Sequence, residues 1–409
     1  MKTSRRGVRP VAAAFIITAA LSACGSTTSG GSSGTAATTR DIRLAIVGPM
    51  TGDAAADGQH ILDGATLARD QINNAGGVAS GLYKGAKIVL DPLDDTESVD
   101  RSVTLAHQVV DSSQEWAFLG TGFSDAAIAT APVLERASVS YLSTYASSAQ
   151  ILAKPFKNVF VVPPTFPAYA YSAAEVAYKQ GYRHAAVLQA NAAFGLQMAK
   201  LFTDHFTALG GMVVDTETYT LGDKNTQGFV AKALASQPEV IAMAGLTGDD
   251  VAQLHQIRSA ANSTPVLDLE AVAFSQSFLT TAGNDALGFV GQTPSDPKRK
   301  TAAAAHLRSI YSAKFHTDVI PDPTAFTYEA VIGVARAMES GPSDRTQLGA
   351  AIHNVQLADT GVGPLRFDPS GARLGGTLWY FHVANGAFVF DTGYRQTAPL
   401  AVHEVPLEE

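Results

Sequence analysis

The chain has 409 residues, of which 46% are hydrophobic and 16% charged, with a formal net charge of −8. That length exceeds one small core and suits two lobes of ordinary domain size. The composition excludes a disordered acidic chain and a membrane channel, and no clustered Lys/Arg run after residue 40 points to a nucleic-acid surface.

Lys2, Arg5, Arg6 and Arg9 lie ahead of an apolar run from Val11 to Leu21. The run is shorter than the roughly 20 residues of a bilayer span and fits the apolar part of a secretory signal. It ends in Leu21-Ser22-Ala23-Cys24, which resembles the lipobox of bacterial lipoproteins and implies diacylation of Cys24 after cleavage. Cys24 is the only cysteine, so no disulfide framework exists. Removing the four basic signal residues takes the net charge from −8 to −12. Residues 25–40, rich in Gly, Ser and Thr, have the composition of a flexible tether. The expected division is a signal peptide over 1–23 and a lipid-anchored tether over 24–40, holding a globular body outside the cytoplasm.

The body begins at Asp41. Ile42–Met50 reads as a buried strand ended by Gly48-Pro49. From Gly58 the period changes: Ile61, Leu62, Ala65, Ala68 and Ile72 recur at helical spacing, and Gly76-Gly77 stops the helix. Ala86–Leu90 predicts a strand, and Ser98 a cap on a helix burying Val99, Val103, Ala106 and Val110. Further strands are expected at Trp116–Leu119, Val139–Leu142, Val159–Val162, Ala185–Gln189, Met212–Val214, Val240–Ala244 and Pro265–Leu267. Helices lie between them, including Phe194–Leu209 and Asp249–Ala261. This alternation predicts an α/β fold with mostly parallel sheets covered on both faces. Pro163-Pro164 and Gly291–Pro297 read as crossings between lobes. Helices near Lys298–His316 and Thr324–Ser340 follow, then an antiparallel pair over Gly375–Val389 turning at Asn385-Gly386. The lobes are expected at 41–163 plus 293–368 and at 164–292 plus 369–409. In such sheets ligands bind beyond the carboxyl ends of the strands.

Ser124 poses the central chemical choice. Gly122-Phe123-Ser124-Asp125-Ala126 nearly matches a nucleophile elbow, with Ala126 replacing the final glycine. A hydrolase would also need a later histidine and acid, and none of the seven histidines from His184 to His382 sits in a loop that marks it as a base. The binding alternative uses the helix expected at Asp125–Ala137: free N–H groups and the positive dipole end attract a carboxylate, and Ser124 adds a hydroxyl. Ser124 could equally cap its own helix. A second hydroxyl-rich loop, Ser143-Thr144-Tyr145-Ala146-Ser147-Ser148, follows the next strand, so both loops would share one rim. Asp94-Asp95 looks metal-like but reads equally as a turn cap, and no zinc spacing, phosphate loop or dinucleotide fingerprint occurs.

Ile42–Gly52, Asp63–Asn73 with Gly76-Gly77, and Asp91–Val110 together resemble the opening of the leucine/isoleucine/valine-binding proteins. These are type I periplasmic solute-binding components of ABC importers. Ala185–Lys200, Leu267–Ala271 and Gly363–Arg373 continue the likeness. The resemblance implies two Rossmann-like lobes joined by a multi-strand hinge. It implies Ser124 and Ser147 on a ligand carboxylate, Phe123 and Tyr145 flanking them, and Glu270 on the ligand ammonium, with Asp268 as a nearby competitor. Where close members carry aromatic or tyrosine side chains, this chain has Asp57, Phe194 and Leu246, so a polar or cationic amino acid or a small amide joins the aliphatic ones as expected cargo. The resemblance further implies an ABC permease partner, membrane attachment through Cys24, a monomer, and no enzyme activity, metal or cofactor. A sensing lobe without transport and a secreted serine hydrolase using Ser124 remain as alternatives.

Overall fold

The computed structural model describes residues 41–223, 225–271, 273–296, 298–398 and 401–405. The residues expected to form a signal peptide and tether, Cys24 among them, lie outside the described residues. Among the described residues are thirteen strands and eleven α-helices. First come β1 (Ile42–Gly48), α1 (Ala55–Asn74), β2 (Ile88–Asp94), α2 (Val99–Ser112), β3 (Glu115–Gly120), α3 (Ser124–Arg136), β4 (Ser140–Ser143) and β5 (Val159–Val161). Next are α4 (Phe166–Lys179), β6 (His184–Ala190), α5 (Ala193–Ala208), β7 (Met212–Tyr219), α6 (Gln227–Ala235), β8 (Val240–Ala244), α7 (Thr247–Ser259), β9 (Val266–Asp268), α8 (Gln276–Ala282) and β10 (Val290–Thr293). Last are α9 (Ala302–Phe315), α10 (Asp322–Met338), α11 (Arg345–His353), β11 (Thr377–Ala384), β12 (Ala387–Ala398) and β13 (Ala401–Val405).

The strands form two sheets. The first is all parallel, ordered β2-β1-β3-β4-β5. The second is ordered β13-β12-β11-β10-β9-β8-β6-β7; its β7–β10 portion is parallel and its β10–β13 portion antiparallel. The expected α/β architecture of two mostly parallel sheets is therefore met. Period-two alternation divides β1 between two cores: Ile42, Leu44 and Ile46 join one apolar cluster, Ala45 and Val47 the other. The second sheet has its own core, including Val187, Met198, Phe202, Phe206, Ile241, Leu254 and Phe278.

Local chemistry sets the element ends. Pro92 is tolerated in β2 because β2 is an edge strand. Ser98 caps α2, its Oγ accepting from Arg101 N. The expected burial of α2 holds for Ala106, with Val103 and Val110 partly buried against the core, but Val99 is exposed and Ser102, Leu105 and Val109 are buried instead. The crossing expected at Gly291–Pro297 begins later, because β10 runs to Thr293. Gly291 fits there because a side chain would meet the Phe381 ring at 2.4 Å. The hairpin at Asn385-Gly386 has φ of 52° and 71°, the left-handed pair that a tight two-residue turn requires.

Three segments pass between the sheets: 162–165, 294–301 and 354–376. In the third, Ala372 pairs in parallel with Val161, and Arg373 inserts its guanidinium between the crossings. Arg373 Nη1 donates to Glu329 Oε2 at 2.6 Å and to Val162 O at 3.1 Å, while Nη2 donates to Glu329 Oε1 and Pro364 O. Helix α10, buried along nearly all its length, carries Glu329 and packs on α1 at Gly64, where a Cβ would lie 2.1 Å from Thr324 O. Among the described residues no helix is long and apolar enough to cross a membrane.

Candidate functional site

Strands β3 and β4 end side by side at the carboxyl edge of the first sheet, which brings their following loops to one rim. Leaving β3 demands a sharp turn. Gly120 has φ of +115° with Val47 O only 1.9 Å from where its Cβ would sit, and Thr121 follows at φ 61°. Thr121 Oγ1 is fixed by the Tyr141 hydroxyl at 2.6 Å. The turn delivers Phe123 as N-cap and Ser124 as first residue of α3, one residue earlier than expected.

The capping role proposed for Ser124 is not what its hydroxyl does. Phe123 occupies the N-cap, and Ser124 Oγ is buried without a hydrogen-bond partner among the described residues. Among the described residues no histidine hydrogen-bonds to Ser124 Oγ. The β4 loop is braced internally. Ser143 Oγ donates to Ala146 O, Ser147 Oγ to Tyr145 O, and Thr327 Oγ1 to Thr144 Oγ1. Two bonds join this rim to α5 in the other half: Ser148 Oγ donates to Gln197 Oε1 at 2.6 Å, and Ala193 N donates to Asp125 Oδ2 at 3.1 Å.

Two cavities sharing the walls Tyr145, Ala271 and Asp322 lie between the halves. The smaller, about 30 Å³, is lined by Tyr145, Ser147, Glu270, Tyr169, Phe166 and Asp322 among others. The larger, about 210 Å³, is lined by Asp53, Asp57, His60, Tyr145, Thr247 and Asp322 among others. The structure thus brings together Tyr145, Ser147, Glu270 and Asp57. Ser124, Phe123, Phe194 and Leu246 line neither cavity. Phe123 and Phe194 are buried, and Leu246 is the N-cap of α7, packed against the second core.

Glu270 leaves β9 two residues after Asp268. Its N–H donates to Asp268 Oδ1 at 2.8 Å, so Asp268, the nearby competitor, serves the turn that presents Glu270. Ala273 N also donates to Asp268. Glu270 Oε1 is buried without a partner among the described residues. Burial, reinforced by the Asp268 charge, holds its carboxyl well above the usual range. Burial raises Asp57 to about 7, helped by Glu97, and Asp322 to about 8 against the hydroxyls of Thr293 and Ser295. Burial lowers His60 to about 4. The Tyr145 hydroxyl has no partner either, and burial together with Asp57, Glu270, Asp268 and Asp322 pushes it far above its ordinary value. Asp250 and Tyr219, near Glu270, are also orphaned, with Asp250 raised by burial and then by Asp268.

Sequence reasoning missed Asp322, Asp250 and Tyr219. Asp322 stands between two prolines and reads as a turn; only the packing of α10 turns its Oδ2 into an unpaired acceptor. Asp94-Asp95 is a turn-capping pair. Asp94 accepts from Met50 N, Thr51 Oγ1 and Thr96 N, and Asp95 from Ser102 Oγ and Glu97 N. Among the described residues no three His, Cys, Asp or Glu side chains gather as a metal-binding group.

The family model for "Periplasmic binding protein" matches residues 41–387. A Leu/Ile/Val-binding protein homolog 3 from Brucella melitensis is 24% identical over 334 residues, covering 81% of this chain and 88% of its own length. The leucine-binding protein LivK of Thermotoga maritima superposes with a TM-score of 0.79 at 21% identity, covering 86% of this chain and 98% of that one. LivJ of Streptococcus pneumoniae, solved in complex with isoleucine, gives 0.78 at 19% identity, covering 90% and 99%. At those identities the solved structures speak for the fold. Taken with the family match over most of its length, the two-sheet body with its central cleft belongs to the periplasmic binding protein family.

Proposed function

We propose that this chain is the solute-binding component of an ABC importer and captures an amino acid in the cleft between its two halves. Family membership implies an extracytoplasmic location. One observation carries the reading of the cargo. Unpaired donors, Ser124 Oγ and Tyr145 OH, stand on the side of the first sheet, and an unpaired carboxylate oxygen of Glu270 stands on the side of the second. A zwitterion leaving water needs donors at its carboxylate and an acid at its ammonium, and these groups supply both. In this reading Ser124 and Ser147 hold the carboxylate beside Phe123 and Tyr145. Glu270 holds the α-ammonium and Asp57 faces the ligand's side chain, while Phe194 and Leu246 pack in the core of the second sheet and line neither cavity. The lobes are taken as 41–163 plus 293–368 and 164–292 plus 369–409, closing about the three crossings. The names of the relatives, Leu/Ile/Val-binding and leucine-binding, support an α-amino acid as the class. Lipid attachment at Cys24 and delivery to a membrane permease complete the proposal.

The test is calorimetric titration of the full chain with α-amino acids, their decarboxylated amines and their deaminated acids. Only ligands keeping both charged groups should bind at micromolar strength, about −8 kcal/mol. Glu270→Gln should weaken that binding at least about 10-fold. Equal binding of a deaminated acid, or unchanged affinity in Glu270→Gln, would remove Glu270 from the site.

A further inference from the structure

Three acids of the two cavities, Asp57, Asp322 and Glu270, meet no basic side chain among the described residues. Asp57 enters from α1, Asp322 from the first turn of α10, and Glu270 from the loop after β9. Among the described residues no Lys or Arg lines either cavity. His60 is the sole lining imidazole, and burial keeps it neutral at pH 7. By contrast Glu329, fully buried, is forked by Arg373, and Asp359 and Asp91 pair with Arg299 and Arg43.

The geometry of the unpaired acids points inward. Asp322 is 3% exposed; Thr293 and Ser295 hydroxyls donate to its Oδ1, and its Oδ2 has no partner among the described residues. Asp57 is 9% exposed on the wall of the larger cavity, and no described side chain pairs with its carboxyl. An unpaired buried carboxylate is costly, and a charge-assisted bond to a cation is the strongest way to offset that cost. These acids do not converge as a metal-ligating group. The larger cavity, about 210 Å³, falls below the roughly 300 Å³ at which pockets for larger ligands begin, so it suits one side chain and not a peptide.

Resting on the amino-acid reading above, we infer that the ligand's side chain carries a second cationic group, an ammonium or guanidinium, seated in the larger cavity against Asp57 and Asp322 while Glu270 takes the α-ammonium. The cargo is a basic amino acid. Asp57 then supplies a counter-charge at the far end of the ligand. Burial holds both acids near neutrality, and an arriving cation favours their ionised forms, so binding should release protons.

The test titrates the full chain with ligands matched in shape but not in charge: arginine against citrulline, and lysine against norleucine. Leucine and isoleucine are included. Arginine or lysine should bind at least about 10-fold more tightly than its neutral counterpart, and Asp57→Asn should shrink that preference to about threefold or less. Repeating the titration in buffers of different ionisation enthalpy should reveal proton release with the cationic ligand only, a readout that needs no variant. If leucine, norleucine or citrulline binds as tightly as arginine and lysine, the cationic assignment falls while amino-acid capture stands. If no α-amino acid binds, both fall together.

Discussion

Ser124→Ala separates a ligand contact from a helix cap by the sign of its effect. Were Ser124 a cap, removing its oxygen would cost the ligand-free protein about 0.5–2 kcal/mol. Its Oγ instead has no partner, at 2% exposure, on the first turn of α3. A buried hydroxyl left unsatisfied costs about 1–3 kcal/mol, and alanine removes that cost without opening more than a small void. The ligand-free variant should therefore be as stable as the wild type or more so. For a body of this size each kcal/mol is about 1–2 °C in Tm. With ligand present the sign reverses, because a hydrogen bond to a charged carboxylate contributes about 1.5–3 kcal/mol. Affinity should fall at least about 10-fold. Differential scanning fluorimetry with and without ligand, followed by calorimetric titration, reads both halves. A lower Tm in the ligand-free variant together with unchanged affinity would refute the reasoning.

Two other expectations follow from the same structure. Arg373→Met strands the fully buried Glu329 without its fork and should cost about 3–5 kcal/mol in urea unfolding, whereas a loss below about 1 kcal/mol would deny the pair its role in fastening the crossings. Asp57 and Asp322 are raised from 3.8 to about 7 and about 8, so the folded state binds their protons more tightly than the unfolded state does. The stability they contribute is complete below pH 3.8 and is lost as pH rises through about 7 and 8. The ligand-free Tm should decline across that window, and a flat or rising profile would contradict the burial of these carboxyls.

The fold was legible wherever one periodicity governed a segment. β1 alternates between two cores, α1 repeats Ile61, Ala65, Ala68 and Ile72 on one face, and Asn385-Gly386 announces a tight hairpin. Legibility failed where tertiary packing replaced pattern. Helix α4 buries most of its surface, so Tyr-Ala-Tyr-Ser-Ala-Ala has no polar face to mark the period. β7 is a sheet edge whose Asp215, Thr216, Glu217 and Thr218 tolerate solvent, which hid its carboxyl half. β10 was hidden by Gly291, a residue usually read as punctuation but here a seat for the Phe381 ring. At the site, the hydroxyl loops were visible because their order along the chain places them after adjacent parallel strands. The missing information was negative: that Ser124 Oγ, Glu270 Oε1 and Asp322 Oδ2 lack partners depends on what fails to pack beside them.

That negative information bears on how capture works. The arrangement described here is closed enough for Ser148 to bond Gln197 and for Ala193 to bond Asp125 across the cleft. Those two contacts favour closure by about 0.5–1.5 kcal/mol each, somewhat more for the charged acceptor. Against them stand Ser124, Tyr145, Glu270 and Asp322, each with a polar atom buried without a partner among the described residues in this arrangement, at about 1–3 kcal/mol apiece. The polar balance without ligand therefore runs against the closed form. A zwitterion that pairs several of these atoms at once reverses it, and its differential affinity for the closed form is what moves the equilibrium. The unpaired groups thus act twice: they recognise the ligand, and they keep the cleft from closing on nothing.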